Sequence, residues 1–280
     1  MQPSQYQPPD IKDVLLTFPT KHVMLVTLNR PSRLNAIPSW LHDQLHKLFK
    51  WFDSEPSLRC AVLTGAGKTF CAGADLKEWK KRSDTPESST PERWNTSGFG
   101  GLSNRLGKKP IIAAVNGPCI GGGMEMLINC DLVVAGRHRP RFGLPEVRRG
   151  VVASAGALPR LIRTVGKQRA GELALLGRMY NSEQMKDWGL VNFVIDDEKS
   201  SQGVVAEAVR LAAEIADNSP DSVITSREGL RLGWEAIGPV FATEILGKGL
   251  FGRMDGGENM KEGLRSFGER RKAVWTDSKL

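Results

Sequence analysis

Residues 111–125 read IIAAVNGPCIGGGME and join an apolar strand, a turn and three consecutive glycines. We predict that the glycines begin a helix, where each costs roughly 1 kcal/mol relative to alanine. Such a cost indicates that side chains are excluded so that a ligand can lie against the backbone. Close helix packing, the alternative, would explain one glycine more readily than three.

Two glutamates follow this turn. Glu125 falls in the first turn of the predicted helix, beside the N–H groups that the glycines expose. Glu146 ends the segment FGLPE, residues 142–146, in an otherwise apolar turn. Most single glutamates are surface residues, so Glu146 alone would carry little weight. Together with Glu125 it predicts a reaction centre with two carboxylates.

A second loop of small residues lies earlier, in TFCAGADLKE at residues 69–78. A helix that starts near Asp75 would direct its unpaired N–H groups at an anion. The nearby Gly67-Lys68-Thr69 resembles the end of a phosphate-binding P-loop, but Val62 stands where that motif requires its first glycine. We therefore interpret the segment as a second source of backbone donors and not as a P-loop.

Alternating strands and helices predict an α/β core. Residues 1–10 are polar and proline-rich and are expected to form a disordered lead-in, residues 11–200 the core, and residues 201–280 a helical region. The predicted strands are 14–18, 23–28, 60–64, 111–115 and 131–135; the predicted helices are 38–52, a segment marked by Val204, Ala208, Leu211 and Ile215, 222–234, 240–251 and 259–270.

Composition limits the function classes. The 280 residues carry a formal net charge of +8, which favours an anionic partner such as a polyphosphorylated cofactor or nucleic acid. The basic residues are scattered and no nucleic-acid motif is present, which argues against a nucleic-acid partner. No apolar run approaches the roughly 20 residues that span a bilayer. The cysteines match no metal motif, and His42 and His46 are expected on a solvated helix face.

The sequence ends in Ser278-Lys279-Leu280. A carboxyl-terminal Ser-Lys-Leu is an address that the peroxisomal import receptor reads. It predicts that the protein resides in the peroxisomal matrix, whereas the alternative is an ordinary solvated tail.

The motifs together resemble the crotonase superfamily, the enoyl-CoA hydratases and isomerases. The resemblance extends over nearly the whole chain; it rests on LNRP (28–31), LNA (34–36), FCAGADLK (70–77), AVNG (114–117), GGGME (121–125), FGLPE (142–146) and FGERRK (267–272). It implies a spiral of β-β-α units with a C-terminal helical region that forms trimers, two of which often stack into a hexamer.

The resemblance also implies roles for particular residues. The N–H groups of Ala74 and Gly122 would form an oxyanion hole, and Glu125 and Glu146 would act on the bound water and substrate. Coenzyme A, as part of the substrate, would be the anionic partner, with no metal, flavin or nicotinamide required. The implied CoA-binding residues are Arg30, Arg33, Ala72, Asp75, Leu76, Lys77, Arg270 and Lys272, the last two from this chain or a neighbouring subunit.

One segment departs from the family pattern. Hydratases usually continue after the second glutamate with Gly-x-x-Pro-Gly-Ala-Gly-Gly-Thr, whereas residues 150–158 read GVVASAGAL. Because this segment borders the acyl pocket, we expect an acyl group other than a simple straight chain. Trp79, Trp94 and Phe99 are candidates for lining that pocket, although ordinary packing explains them equally well.

The resemblance favours an enoyl-CoA hydratase, a lyase of fatty acid metabolism. A Δ3-Δ2 enoyl-CoA isomerase is the main alternative, but isomerases generally need only one carboxylate, and this chain retains Glu125 and Glu146. A noncatalytic CoA-binding or RNA-binding homologue is the distant alternative.

Overall fold

The computed structural model describes residues 6–78, 95–198, 200–235 and 237–280. Its main sheet has six strands in the order β1-β2-β3-β4-β6-β8, and β5 and β7 form a small second sheet. Only the β1–β2 pair of the main sheet is antiparallel. The strands are β1 (Val14–Thr20), β2 (Val23–Leu28), β3 (Cys60–Gly65), β4 (Ile111–Val115), β5 (Cys119–Ile120), β6 (Leu132–Gly136), β7 (Phe142–Gly143) and β8 (Phe193–Ile195).

The predicted α/β class is confirmed. Among the described residues, the helices of six residues or more are α1 (Ser39–Ser54), α2 (Gly122–Ile128), α3 (Ala157–Val165), α4 (Lys167–Leu176), α5 (Ser182–Asp187), α6 (Gln202–Ala216), α7 (Pro220–Trp234), α8 (Pro239–Leu246) and α9 (Glu258–Gly268). Three 3-10 turns lie at Pro31–Arg33, Phe99–Gly101 and Pro145–Arg149. The helix expected over 240–251 is instead α8 followed by a π-helical turn at Gly247–Phe251. Helices α3 to α5 occupy a stretch for which no element was expected.

Both faces of the main sheet are buried, because successive side chains of a strand point to opposite sides. Helix α1 covers one face, which carries residues such as Met24, Val26 and Leu63. Helix α6 covers the other face, which carries residues such as Val62 and Ile112. Helix α6, which follows the boundary expected at residue 200, therefore packs on the sheet of the α/β unit.

The amino-terminal residues contact this unit as well. Tyr6, within the stretch expected to be a lead-in, is buried and its ring centroid lies 4.3 Å from that of Phe18. Strand β1 was expected to end at Phe18 but continues to Thr20, with an irregular register between Thr17 and Thr20. It can include Pro19 because β1 is the edge strand of the sheet.

The expectation of a solvated His42–His46 pair is wrong. His42 is 5% exposed, and its Nδ1 accepts the N–H of Gly100 at 2.9 Å. Burial lowers the pKa of His42 to about 4, so the ring is neutral and able to accept. His46 Nδ1 lies 2.8 Å from Ser97 Oγ. Helix α1 therefore holds the turn that carries Phe99, which a residue pattern within α1 alone could not reveal.

The described ranges contain neither a membrane-spanning helix nor a cluster of metal-ligating side chains. No described helix combines the length and apolarity needed to cross a membrane. No group of three or more His, Cys, Asp or Glu side chains in the described ranges could hold a metal ion. The four cysteines, Cys60, Cys71, Cys119 and Cys130, carry free thiols.

Candidate active site

The two glycine-containing loops meet edge to edge. Cys71 and Cys119 form a parallel bridge, and the Ile120 N–H donates to the Cys71 carbonyl at 2.9 Å. A Cβ atom on Gly73 would lie 3.0 Å from the backbone nitrogen of Gly122. Gly73 has a φ of +87° and Gly121 one of +57°, backbone conformations that favour glycine. The glycines therefore permit a close approach of two backbone segments.

This approach brings the backbone of Gly73 and Ala74 close to that of Gly122. Ala74 forms a parallel bridge with Ile37, in which Ile37 donates to the Gly73 carbonyl and Asp75 donates to the Ile37 carbonyl. Because N–H groups alternate along an extended segment, the Ala74 N–H points away from Ile37. Gly122 is the first residue of α2, so its N–H has no partner within the helix.

Glu125 projects from the first turn of α2 and is 5% exposed. Its Oε2 accepts the N–H of Ala155 at 2.7 Å and that of Ala157 at 3.4 Å. Burial raises the pKa of Glu125 to about 7; the two N–H donors oppose this rise and the charge of Glu146 adds to it. Glu125 can therefore exchange a proton near neutral pH.

Glu146 lies in the 3-10 turn at Pro145–Arg149 and is half-buried. Its Oε2 is buried without a hydrogen-bond partner among the described residues. Burial also raises the pKa of this carboxyl group. A Cβ atom on Gly121 would lie 3.2 Å from Glu146 Oε1, so the carboxylate sits directly beside the loop with glycines 121–123.

One cleft of about 160 Å³ brings these groups together. Phe99 forms part of its wall, and a Cβ atom on Gly122 would lie 2.4 Å from the Phe99 ring. The described lining residues are Ala72, Gly73, Ala74, Leu76, Phe99, Ile120, Gly121, Glu125, Pro145, Glu146, Arg149, Val151, Val152 and Ser154. The cleft can hold a small acyl group between backbone donors and two carboxylates.

The residues expected to bind CoA are distributed unevenly around this cleft. Ala72 and Leu76 line it, and Leu76 is half exposed. Arg33 and Lys77 are exposed. Arg30 is engaged within the protein, because its guanidinium lies 3.3 Å from Asp13 and 3.3 Å from Asp75. Arg30 and Asp75 therefore help to hold the 3-10 turn at Pro31–Arg33 against Asp13, just before β1, and against the loop at residues 69–78.

The basic tail lies elsewhere within the chain. Arg270 is exposed, and Lys272 forms an ion pair of 2.9 Å with Asp217 at the end of α6. Neither is among the described residues that line the cleft.

The terminal tripeptide folds back onto the body of the chain. Ser278 and Leu280 are half-buried, and Lys279 forms an ion pair of 3.0 Å with Glu258. A backbone carboxylate oxygen of Leu280 accepts a hydrogen bond from the Lys108 ammonium group.

Two of the expected pocket aromatics, Trp79 and Trp94, lie outside the described residues. Arg149 and Ser154 line the cleft but were not among the predicted site residues. The departure of residues 150–158 from the family pattern pointed to the segment that carries Ser154, although not to that side chain. No sequence signal indicated that Ala155 and Ala157 would donate to Glu125.

The chain is similar to known proteins over most of its length. The model of the enoyl-CoA hydratase/isomerase family matches residues 19–278. The chain belongs to this family. This family is part of the crotonase superfamily. One relative, the mitochondrial enoyl-CoA hydratase of Pongo abelii, is 37% identical over 91% of this chain and 84% of the relative. Family membership together with the similarity to named hydratases identifies the chain as an enzyme of the acyl-CoA hydratase class.

Two relatives are more similar. The mevalonyl-coenzyme A hydratase of Beauveria bassiana is 57% identical over 98% of both chains. The mevalonyl-coenzyme A hydratase of Aspergillus fumigatus is 47% identical over 97% of this chain and 98% of the relative. Among solved structures, the enoyl-CoA hydratase of Mycobacterium tuberculosis matches with a TM-score of 0.83 at 31% identity, over 95% of this chain and 99% of that one. The crotonase fold is thus confirmed.

Proposed function

We propose that this protein catalyses the reversible addition of water across the C2–C3 double bond of a short, branched, hydroxylated enoyl-CoA. The observation that carries the proposal is the cleft itself, where the carboxyl groups of Glu125 and Glu146 lie beside the backbone of the two glycine-containing loops. Retention of both Glu125 and Glu146 in one cleft supports hydration over isomerisation.

The backbone donors supply electrostatic stabilisation. The thioester oxygen would accept the N–H groups of Ala74 and Gly122. When water attacks C3, electrons move onto that oxygen and an enolate forms. Two preorganised donors favour the enolate over the ground-state carbonyl, and losing one donor of this kind typically costs about 3–4 kcal/mol.

The two carboxylates supply the proton transfers. One carboxylate takes a proton from the attacking water as oxygen bonds to C3, and the other, protonated, gives a proton to C2. In the reverse direction C2 loses a proton and C3 loses hydroxide as water. Glu125 and Glu146 both have raised pKa values because they are buried, which suits a pair that shares a proton near neutral pH.

The acyl group that we propose is mevalonyl, that is 3,5-dihydroxy-3-methylpentanoyl. It forms by hydration of 5-hydroxy-3-methylpent-2-enoyl-CoA. Two observations support this acyl group: the relatives named mevalonyl-coenzyme A hydratases, and the small volume of the cleft, about 160 Å³. Pockets for larger ligands commonly measure about 300–1,000 Å³. Arg149 and Ser154 provide polar groups that a hydroxylated chain can meet.

We further propose that the protein works as a trimer or hexamer. Val240, Leu264 and Phe267 of the C-terminal helices are 87%, 71% and 87% exposed in the single chain. Apolar side chains presented in this way favour association. In such an assembly Arg270 and Lys272 of one subunit would meet the coenzyme A phosphates bound to its neighbour.

The terminal tripeptide supports a peroxisomal location. Because the import receptor reads a free carboxyl-terminal Ser-Lys-Leu, Ser278, Lys279 and Leu280 would have to detach from Glu258 and Lys108 for recognition. Deleting the tripeptide should abolish binding to the receptor and leave hydration unchanged. Import of the truncated protein into peroxisomes would contradict this assignment.

The test of the proposed reaction is spectroscopic. Purified protein is mixed with crotonyl-CoA, 3-methylbut-2-enoyl-CoA and 5-hydroxy-3-methylpent-2-enoyl-CoA, and the loss of conjugated thioester absorbance is followed. A product heavier by one water, formed fastest from the hydroxylated ester, is the expected result. The Glu125→Gln and Glu146→Gln variants should fold and lose activity about 100-fold to 10,000-fold. A folded wild-type protein inert toward all three esters would overturn the proposal, and 3-enoyl-CoA would then test isomerisation.

A further inference from the structure

A single buried hydroxyl group connects the acyl wall of the cleft to Glu125. Ser103 is completely buried. Its Oγ accepts the N–H of Phe99 at 2.7 Å and donates to the carbonyl of Ala155 at 2.7 Å. Phe99 lines the cleft, and Ala155 donates its own N–H to Glu125. Ser103 itself is not among the described residues that line the cleft.

The residues 155–157 form a turn that partly encloses the Glu125 carboxylate. The N–H groups of Ala155 and Ala157 point to the same oxygen, Oε2, at 2.7 and 3.4 Å. The carbonyl of Ala155, which lies between these two N–H groups along the chain, points to Ser103 instead. The turn therefore has one side directed at the carboxylate and the opposite side held by the hydroxyl group.

The opposite side of the turn is tightly packed. Gly156 has a φ of +116°, and a Cβ atom there would lie 3.1 Å from the Ser103 carbonyl oxygen and 2.6 Å from the Arg160 guanidinium. Arg160 also donates to the Gly156 carbonyl at 3.2 Å. Two side chains thus fix successive carbonyls of the turn, Ser103 that of Ala155 and Arg160 that of Gly156.

We propose that Ser103 is a positioning residue, which holds the 155–157 turn so that its N–H groups face the Glu125 carboxylate while Phe99 stays against Gly122. The inference rests on the catalytic role of Glu125 in the proposed function. Without the hydroxyl group the buried Ala155 carbonyl loses its donor, and the turn must shift to find another. Because Ser103 Oγ also accepts the N–H of Phe99, the Glu125 carboxylate and the acyl wall of the cleft shift together.

The test compares Ser103→Ala with Ser182→Ala. Ser182 is also completely buried and also donates to a backbone carbonyl, that of Gly136, but it is not among the described residues of the cleft wall. Ser103→Ala removes two buried hydrogen bonds and Ser182→Ala removes one, so both variants should lose thermal stability and Ser103→Ala should lose more. The steady-state constants for a hydrated enoyl-CoA are then measured from pH 5 to pH 9.

For Ser103→Ala we expect kcat to fall about 10-fold to 100-fold, because small displacements of catalytic groups have effects of this size. KM should change less than kcat. Weaker N–H donation raises the pKa of Glu125, so the limb of the pH profile that reports this group should move to higher pH by about half a unit or more. Glu146 and Arg149, the other charged groups of the described cleft wall, are the same in both proteins. Ser182→Ala should keep the wild-type profile.

Several results would overturn the inference. One is a wild-type kcat and pH profile for Ser103→Ala; another is an equal loss of kcat in Ser182→Ala. Ser103→Cys serves if the alanine variant does not fold, since a thiol nearly preserves the volume but donates weakly. It should show the same shifts, smaller in size, and an unchanged profile would count against the role. Glu125→Gln separates this inference from the proposed function: full activity in that variant removes the role of Glu125 itself.

Discussion

Replacing Gly122 with alanine tests whether contact with Phe99 fixes the backbone donor at the start of α2. A Cβ atom at residue 122 would lie 2.4–2.5 Å from three atoms of the Phe99 ring. Such distances are far below van der Waals contact, so either the ring or the backbone must move. Phe99 is 2% exposed and has little room, and we therefore expect the Gly122 N–H to be displaced.

The expected magnitude has two parts. Loss of one oxyanion donor lowers kcat by about 100-fold to 1,000-fold, which is about 3–4 kcal/mol. Overpacking a core typically lowers the free energy of unfolding by about 1–3 kcal/mol. The assay is kcat with an enoyl-CoA substrate together with thermal unfolding. Gly171→Ala in α4 is the control, because its added Cβ would meet only Leu175, at 3.9 Å, among the described atoms.

A double variant identifies the cause. Phe99→Leu removes the ring atoms that the added methyl group at position 122 would contact, so kcat of Gly122→Ala/Phe99→Leu should exceed that of Gly122→Ala by about 10-fold. Phe99→Leu alone should lower kcat moderately by loosening the acyl wall. Wild-type kcat in Gly122→Ala, or a double variant no better than the single one, would refute the reasoning.

Three further predictions concern the pH dependence, the substrate and the assembly. Burial raises the pKa of Glu125 from an ordinary 4.5 to about 7, so the folded state binds an extra proton between these values. The free energy of unfolding of the wild type, relative to Glu125→Gln, should therefore fall by about 2–3 kcal/mol from pH 4.5 to pH 7.5 in urea titrations; a constant difference would contradict this. Ser154→Ala should lower kcat/KM about 10-fold for 5-hydroxy-3-methylpent-2-enoyl-CoA, the size expected for one hydrogen bond, and leave 3-methylbut-2-enoyl-CoA unaffected; equal losses would remove the role of Ser154. Phe267→Asp should yield smaller assemblies in light scattering, whereas Lys261→Asp on the same helix should not; unchanged mass for both would place the interface elsewhere.

Local sequence signals predicted much of the fold. Strands β1 to β4 and β6 and helices α1, α6 and α7 were predicted within a few residues, because the strands are apolar runs and the helices repeat apolar residues at helical spacing. The short strands β5, β7 and β8 were not predicted. The glycine-rich start of α2 was also predicted, because three glycines at a helix start indicate a backbone that side chains must not obstruct. Helices α3 to α5 were not predicted, and the short α5 holds only six residues.

The sequence predicted those parts of the candidate site that belong to recognisable local motifs. Glu125, Glu146 and the two glycine loops lie together as expected, and Phe99 lines the cleft. The hydrogen-bond partners of Glu125 come from residues 155–157, about thirty residues later, in a turn fixed by Ser103. Contacts at such separation depend on the completed fold and leave no periodic pattern.

The position of α6 has a consequence for synthesis of the chain. Strands β2, β3, β4 and β6 all precede α6, yet the apolar side of the sheet that includes Val62 and Ile112 is covered by α6. During translation that side stays open until residue 216 has left the ribosome. The nascent α/β unit therefore displays a large apolar surface for most of its elongation, and such surfaces invite aggregation or chaperone binding. Completion of this fold is consequently a late event, since it waits for α6, which ends at residue 216 of 280.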